Sequence, residues 1–402
     1  MLFSKKSIIK SSFTANALFP TGHAMNPKEF RTWIELDKNA LYSNARQVLR
    51  LLPKRTRFMA VVKSNAYGHG LTHVASALEQ MADFRARGWF GVDSIVEAVR
   101  LRSEGAKAPV LVLGLTLPSR YREALEQNIT VTASSFENLE ALARLKARPK
   151  FHLKIDTGMH RQGFFASDMP KVIARLKRGG MVPEGVYTHF ASAKDPAYPT
   201  FTLAQLQVFK AVVSKLEKAG FRQLIRHCAA SGGTILFPQS HLDMARAGIM
   251  LYGYYPSREA EIHVSGAIKL APILTWKAIV GEVKEIKKGA YVGYDLTERV
   301  ARNTRLAVIP VGYWHGVDRG LSSVGEVLIA GRRRKILGRV SMDMIVVDVT
   351  DGVKKVRAGD LVVLIGRQGA ESIWADEVGE KIGTSAYEVL TRINPLIKKI
   401  VK

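Results

Sequence analysis

A chain of 402 residues exceeds the usual size of one domain, so two are expected, and 47% hydrophobic with 24% charged residues is the composition of a globular protein with sizeable cores. No stretch approaches the roughly 18 uninterrupted apolar residues of a membrane span, which points to a soluble protein with no membrane partner. The net charge of +25 would suit nucleic acid or anionic metabolites, but Lys and Arg are scattered and the densest run is only Arg332-Arg333-Arg334-Lys335; without any RNA-binding or zinc-finger pattern, the reading is a basic solvated surface and no nucleic acid.

Residues 1–30 read as a disordered or spurious extension. The first 24 carry Lys5, Lys6 and Lys10 but no acidic residue, and Lys10 with polar neighbours interrupts the apolar run that an export signal needs. Met25, just ahead of Glu29, is an alternative start. Trp33–Leu36 is strand-like and is expected to pair with the second domain.

Between residues 57 and 250, short β-branched runs alternate with amphipathic stretches. Strands are predicted at Phe58–Val62, Trp89–Val92, Val110–Leu113, Ile129–Val131, Phe151–Ile155, Gly185–His189, Leu224–His227 and Leu242–Arg246. Helical spacing marks Leu71–Met81, Ser94–Ser103, Phe136–Leu145 and Leu203–Ala219. Eight strands with intervening helices predict an α/β architecture, a (β/α)8 TIM-type barrel over residues 31–255. The pattern changes after Tyr255. Ile268–Val283, Leu306–Pro310, Glu326–Ile329, Met342–Val349 and Leu361–Ile365 read as strands separated by glycine-containing turns, with one helix near Asp376–Ile382. Residues 256–402 are therefore expected to form a mainly β C-terminal domain.

In such a barrel the functional groups gather at the C-terminal ends of the strands. Those ends offer Lys63, Lys154, Asp156, His189 and Arg246, with Ser231 just beyond the seventh strand. Any one alone would be read as a surface or structural residue; together they converge on one face. Lys63 follows a buried run, where desolvation favours the uncharged amine that condenses with an aldehyde cofactor. Tyr67 offers a hydroxyl suited to a phosphate, and Gly68 and Gly70 permit a tight turn. Cys228 is the only cysteine; it excludes an intrachain disulfide, fits a reducing cytoplasm and reads as a small buried hydrophobe.

The segment Lys63-Ser64-Asn65-Ala66-Tyr67-Gly68-His69-Gly70 resembles the cofactor-lysine signature of the alanine racemases, fold-type III enzymes dependent on pyridoxal 5'-phosphate, and the similarity runs from about Thr32 to Asn394. The resemblance implies a barrel plus a β domain and a cytoplasmic homodimer with shared active sites. It also implies interconversion of L- and D-alanine, which supplies D-alanine for the peptidoglycan precursors of the cell wall. Lys63 would hold the cofactor covalently. Tyr67, Ser231, Tyr387 and the backbone of Gly248 and Ile249 would bind its phosphate. Arg246 would face the pyridine nitrogen, and His189 would link Arg246 to the catalytic tyrosine. Lys154 would be a carbamylation site orienting Arg161, which would contact the cofactor's phenolic oxygen and the substrate carboxylate. Racemisation needs a base on each face of a planar carbon, and the resemblance assigns these to Lys63 and to Tyr294 of the partner subunit. A phenol needs neighbouring cations to act as a base near neutral pH. Met342 and Asp343 match the family's substrate-pocket pair, and Tyr313 its entryway tyrosine. No metal is implied.

Four departures stand out. His315 precedes Gly316 where an acidic residue is usual, Ser341 replaces a frequent cysteine, Asp295 and Leu296 follow Tyr294 in place of smaller residues, and Gly232-Gly233 replace alanines. Those near Tyr294 and Tyr313 leave open a racemase of broader specificity, for serine, lysine or arginine. A non-catalytic pyridoxal-phosphate-binding protein would lack the β domain and Tyr294. A diamino-acid decarboxylase would need a glycine-rich phosphate loop that is missing here, and Cys228 is misplaced for its cross-dimer cysteine.

Overall fold

The computed structural model describes residues 29–352 and 355–402, so the expectation for residues 1–28 lies outside it. Strand β1 (Thr32–Leu36) precedes eight parallel strands: β2 (Arg57–Val61), β3 (Gly88–Val92), β4 (Val110–Val112), β5 (Ile129–Ala133), β6 (Phe151–Lys154), β7 (Gly185–Tyr187), β8 (Ile225–His227) and β9 (Met244–Ala247). Neighbours in sequence are neighbours in space, and β2 also pairs with β9, Met59 opposite Arg246. The β8–β9 seam is joined by Asp243 N–H to Arg226 O and Arg246 N–H to Ala229 O, both 3.1 Å. The Arg226 guanidinium reinforces it at 2.6 Å from the Asp243 carboxylate. The result is the predicted barrel.

Side chains alternate along each strand, and this parity decides what enters the barrel. Met59 and Val61 of β2 and Met244 of β9 pack in the inner apolar cluster with Trp89, Leu111 and Ile225. Phe58, Ala60, Ala245 and Ala247 pack outward in the main core. Lys63 and Arg246 carry the inner parity on to the C-terminal mouth. Tyr187 and His189 do the same from β7, and His152 and Lys154 from β6. The arrangement of charged residues at the mouth is thus written into the period of two.

The rest of the chain is mainly β: β10 (Leu274–Ile279), β11 (Glu282–Ile286), β12 (Tyr291–Val292), β13 (Glu298–Arg299), β14 (Thr304–Ile309), β15 (Glu326–Ile329), β16 (Arg332–Lys335), β17 (Ile345–Asp348), β18 (Leu361–Gln368), β19 (Glu371–Ile373) and β20 (Lys398–Val401). One sheet runs β16-β15-β18-β10-β1-β20, with β19 beside β18; a second is β11-β14-β17, and β12 pairs with β13. The pairing anticipated for Trp33–Leu36 is present: β1 lies antiparallel to β10 and parallel to β20. The single strand expected over Ile268–Val283 is two, because the chain changes sheets at Val280-Gly281, where Val280 N–H bonds Asp360 O and Gly281 N–H bonds Val308 O. The strand expected from Met342 starts at Ile345, since the Ser341 hydroxyl donates to Met344 O at 2.7 Å and closes a turn.

The densest basic run is β16. Its Arg333 is neutralised by Glu326, Glu371 and Glu377, and Arg334 is buried. Among the described residues no helix is long and apolar enough to cross a membrane.

Candidate active site

A cleft of about 620 Å³ opens at the C-terminal mouth of the barrel. Lys63 enters it from the end of β2. The next four residues, Ser64, Asn65, Ala66 and Tyr67, have φ of 54°, 55°, 53° and 51°, a left-handed turn without glycine. Each such residue costs about 1–2 kcal/mol. Asn65 holds the turn: its N–H meets the Glu97 carboxylate at 3.2 Å, its side-chain oxygen accepts from Leu71 N–H at 3.0 Å and its carbonyl from Gly70 N–H at 2.8 Å. The turn brings the Tyr67 hydroxyl onto Gly248, where an added Cβ would stand 2.6 Å from that oxygen.

Around Tyr67 a hydroxyl cluster forms. The Ser231 oxygen accepts from Gly248 N–H at 3.1 Å, leaving its own proton for a ligand. The helix Ala386–Thr391 of the β domain brings the Tyr387 ring to 6.0 Å from that of Tyr67. Burial pushes the Tyr67 phenol up to about 12 and Tyr387 higher still, so both stay protonated donors. Ile249 lines the same cleft. Gly232 is required by closeness: a Cβ there would lie 1.9 Å from Ala193 O. Gly232→Ala is therefore expected to destabilise the protein by about 1–3 kcal/mol, since backbone must shift. Thermal unfolding checks this, an unchanged midpoint counting against it.

Opposite this cluster the site is cationic. Lys154 is 7% exposed and donates to the Gln162 side-chain oxygen at 2.8 Å. Burial, then Arg161, Arg246 and Lys63, push its ammonium down to about 8. Lys63 is half-exposed and its ammonium lies 3.6 Å from an Asp93 carboxylate oxygen. Asp156 turns away, accepting from the backbone N–H groups of Gly158, Met159 and His160 and so shaping the loop that presents Arg161. Arg246 is 3% exposed and donates to Thr188 O (2.8 Å), Cys228 O (2.9 Å) and His227 Nδ1 (2.8 Å). His189 Nδ1 lies 3.3 Å from the same guanidinium. Burial and then Arg246 push His189 down to about 3, so it is neutral near pH 7.

Ten expected residues thus share one cleft: Lys63, Tyr67, Lys154, Arg161, His189, Ser231, Arg246, Gly248, Ile249 and Tyr387. The other four lie outside it, on the β domain. Tyr294 is 69% exposed, Met342 56% and Tyr313 45%, and Asp343 is exposed as well. Tyr313 N–H bonds Ser341 O and Trp314 N–H bonds Met342 O, both at 3.0 Å, so Tyr313 and Met342 stand on adjacent loops. His315, the departure near Tyr313, is buried and accepts from Gly312 N–H at 3.2 Å. Asp93 and Lys194, which the sequence reading passed over, also line the cleft. Asp93 immediately follows β3, so the strand-end rule that picked out Lys63 applies to it equally.

A group carrying an aldehyde, a ring nitrogen and a phosphate fits these donors: a lysine amine, a guanidinium with no proton to lose, and three hydroxyls around a glycine cradle. The chain matches the family described as alanine racemase, N-terminal domain, over residues 36–256, and that described as alanine racemase, C-terminal domain, over 273–401. It is 42% identical to the alanine racemase of Symbiobacterium thermophilum over 369 residues, 90% of this chain and 95% of that one. The Leptospira interrogans alanine racemase is 35% identical over 387 residues, 95% and 98% of the two chains. The solved alanine racemase of Clostridium difficile 630 superposes with a TM-score of 0.85 at 30% identity, over 93% of this chain and 96% of that one. The structure of the Bacillus anthracis alanine racemase with bound L-Ala-P gives 0.85 at 33% identity, over 92% and 95%.

Proposed function

The chain belongs to the alanine racemase family, and from that premise we propose how its own residues interconvert L- and D-alanine. Pyridoxal 5'-phosphate is the cofactor the family implies; bound here, it would hold the amino acid and withdraw electrons from Cα. Lys63 would anchor it. The hydroxyls of Tyr67, Ser231 and Tyr387, with the backbone at Gly248 and Ile249, would hold its phosphate. Arg246 would meet the ring nitrogen, and because a guanidinium keeps its protons it would offer that nitrogen a hydrogen bond and no proton. The proton at Cα would then be moved by residues already in place.

Lys63 would exchange a proton with Cα on one face. Tyr294, exposed at the surface of its own chain, would serve the other face from a second copy, bringing Tyr313, Met342 and Asp343 with it. The two copies then form a homodimer with shared sites. Arg161 would fix the substrate carboxylate. On this reading the cofactor-binding barrel would be residues 31–255 and the β domain residues 256–402. What carries the reading is the meeting of Lys63, Arg246 and three hydroxyls in one cleft. The test is deuterium exchange at Cα of L- and D-alanine in heavy water by protein purified with pyridoxal phosphate. Exchange of both enantiomers is the expected result; a bound cofactor with no exchange would overturn the assignment of these residues.

Lys154 would be a carbamate, formed when its neutral amine adds to carbon dioxide and releases a proton, giving an anion beside Arg161. The depressed ammonium fixes the sign of a pH effect. Between about 8 and the unfolded value of about 10.4 the unfolded chain holds more protons, so stability rises with pH across that window and the penalty is fully present below it. Carbamylation removes the penalty. Added bicarbonate near pH 8 is expected to raise the thermal midpoint by about 2–4 °C, with no gain in Lys154→Met. An equal rise in both would count against it.

A further inference from the structure

Arg246 is a buried cation with no carboxylate within 4.0 Å among the described residues; of the charged groups that line the mouth, Lys63, Lys154, Arg161 and Lys194 are basic, and the acid, Asp93, is paired with Lys63 at 3.6 Å. Burying a charge this way is costly unless something compensates it. The compensation can be traced through the barrel. A guanidinium only donates, so the His227 Nδ1 at 2.8 Å must accept, and the His227 proton sits on Nε2. That nitrogen is 2.9 Å from His152 Nδ1, which must accept in turn. The His152 proton is then on Nε2, 3.6 Å from a Glu184 carboxylate oxygen, an electrostatic contact beyond direct hydrogen-bond range.

Both rings are fully buried, and burial holds each below the ordinary histidine value, so both are neutral. Tyr187 stacks on His227 at 4.7 Å and 9°. Gly185 makes room for His152: a Cβ there would come within 2.6 Å of its ring. Glu184 precedes β7, at the opposite mouth, where Lys150 and Thr130 contact it at 2.8 and 3.0 Å. Burial raises its carboxyl, but His152 and Lys150 reverse this and hold it at about 2. A column of fixed tautomers therefore joins Glu184 to Arg246. Because arginine cannot take up a proton, the column does not conduct protons; it aligns dipoles, lone pairs toward the guanidinium and N–H groups toward the carboxylate.

We propose that Glu184, acting through His152 and His227, is the remote counter-ion of Arg246, a positioning residue that keeps the guanidinium aimed into the cleft. Its functional consequence rests on the reading of Arg246 as the residue facing the cofactor ring. The first test needs no cofactor: imidazole nitrogen NMR of histidine-labelled protein near neutral pH is expected to show His152 and His227 neutral, each protonated on Nε2. Glu184→Gln, close in shape, is expected to move both sets of resonances and the visible band of bound pyridoxal phosphate. It should also lower kcat about tenfold with KM within about twofold, and Glu184→Asp should recover part of the loss. His227 protonated on Nδ1, or charged, would overturn the proposal. So would a Glu184→Gln protein that is merely less stable, with resonances and band unmoved. Absence of any cofactor band in the unaltered protein would instead sink the reading of the cleft, leaving the nitrogen resonances to judge the column by themselves.

Discussion

Lys63→Ala is expected to abolish exchange at Cα of both alanine enantiomers, lowering kcat by more than about 10⁴-fold. Two losses combine in one residue. Among the described lysines lining the cleft, Lys154 is buried and Lys194 lies over the Tyr387 ring, 5.3 Å from its centroid, which leaves the amine of Lys63, just past the end of β2, as the one open to an aldehyde. The same amine serves one face of Cα. The hydroxyl cluster around Gly248 does not depend on Lys63, so the variant should still take up pyridoxal phosphate, without the visible band of the attached form. Spectra and exchange rates recorded on one preparation check both statements. Exchange persisting with either enantiomer would remove Lys63 from the reaction.

Tyr294→Phe should give a one-sided loss. Exchange from L-alanine is expected to fall by about 10²–10⁴-fold while exchange from D-alanine, served by Lys63, continues. The side chain is 69% exposed on a turn braced by Asp295, whose carboxylate lies 3.5 Å from Arg339 and 4.0 Å from Arg319. Loss of one hydroxyl at such a place removes little packing, so the fold should be unaffected. Mixing and re-equilibrating the two variants sharpens the test. If the site is shared between copies, half the dimers pair unlike chains and each such dimer regains one intact site, so activity should return to about a quarter of the unaltered level. No recovery on mixing would place both bases within one chain and overturn the shared site.

Much of this arrangement was legible before the structure. The period of two that runs Met59, Val61, Lys63 and Met244, Arg246 marks both the barrel wall and the residues that crown it. Asp37, the N-cap of helix Lys38–Leu51, and its buried Leu41, Ala45, Val48 and Leu49 were equally readable and were passed over. In Arg332–Lys335 the solvated-surface reading suits Arg332 and Lys335, which are exposed, but not Arg334, which is buried; the strand there follows Ala330-Gly331, both at positive φ, the two-residue turn of a hairpin. Glu184 was beyond reach, since its significance lies in a chain of contacts 75 residues apart, as between His152 and His227. The place of Tyr294 was not legible from one chain's physics either, and rested on resemblance alone.

Strand β1 has a consequence for how the molecule is made. It emerges before the whole barrel, yet it belongs in the interior of the large sheet, between β10 and β20, with Trp33 opposite both Lys277 and Lys398. During synthesis the barrel can close once Met244–Ala247 has appeared, while Trp33, Ile34 and Leu36 still have no sheet to join. Through that interval a strand with two open edges and three large apolar side chains is free to pair with another nascent chain. The β domain is therefore the slow, long-range step of folding, and crowding on a polysome, rather than instability of the finished enzyme, is the point at which yield would be lost.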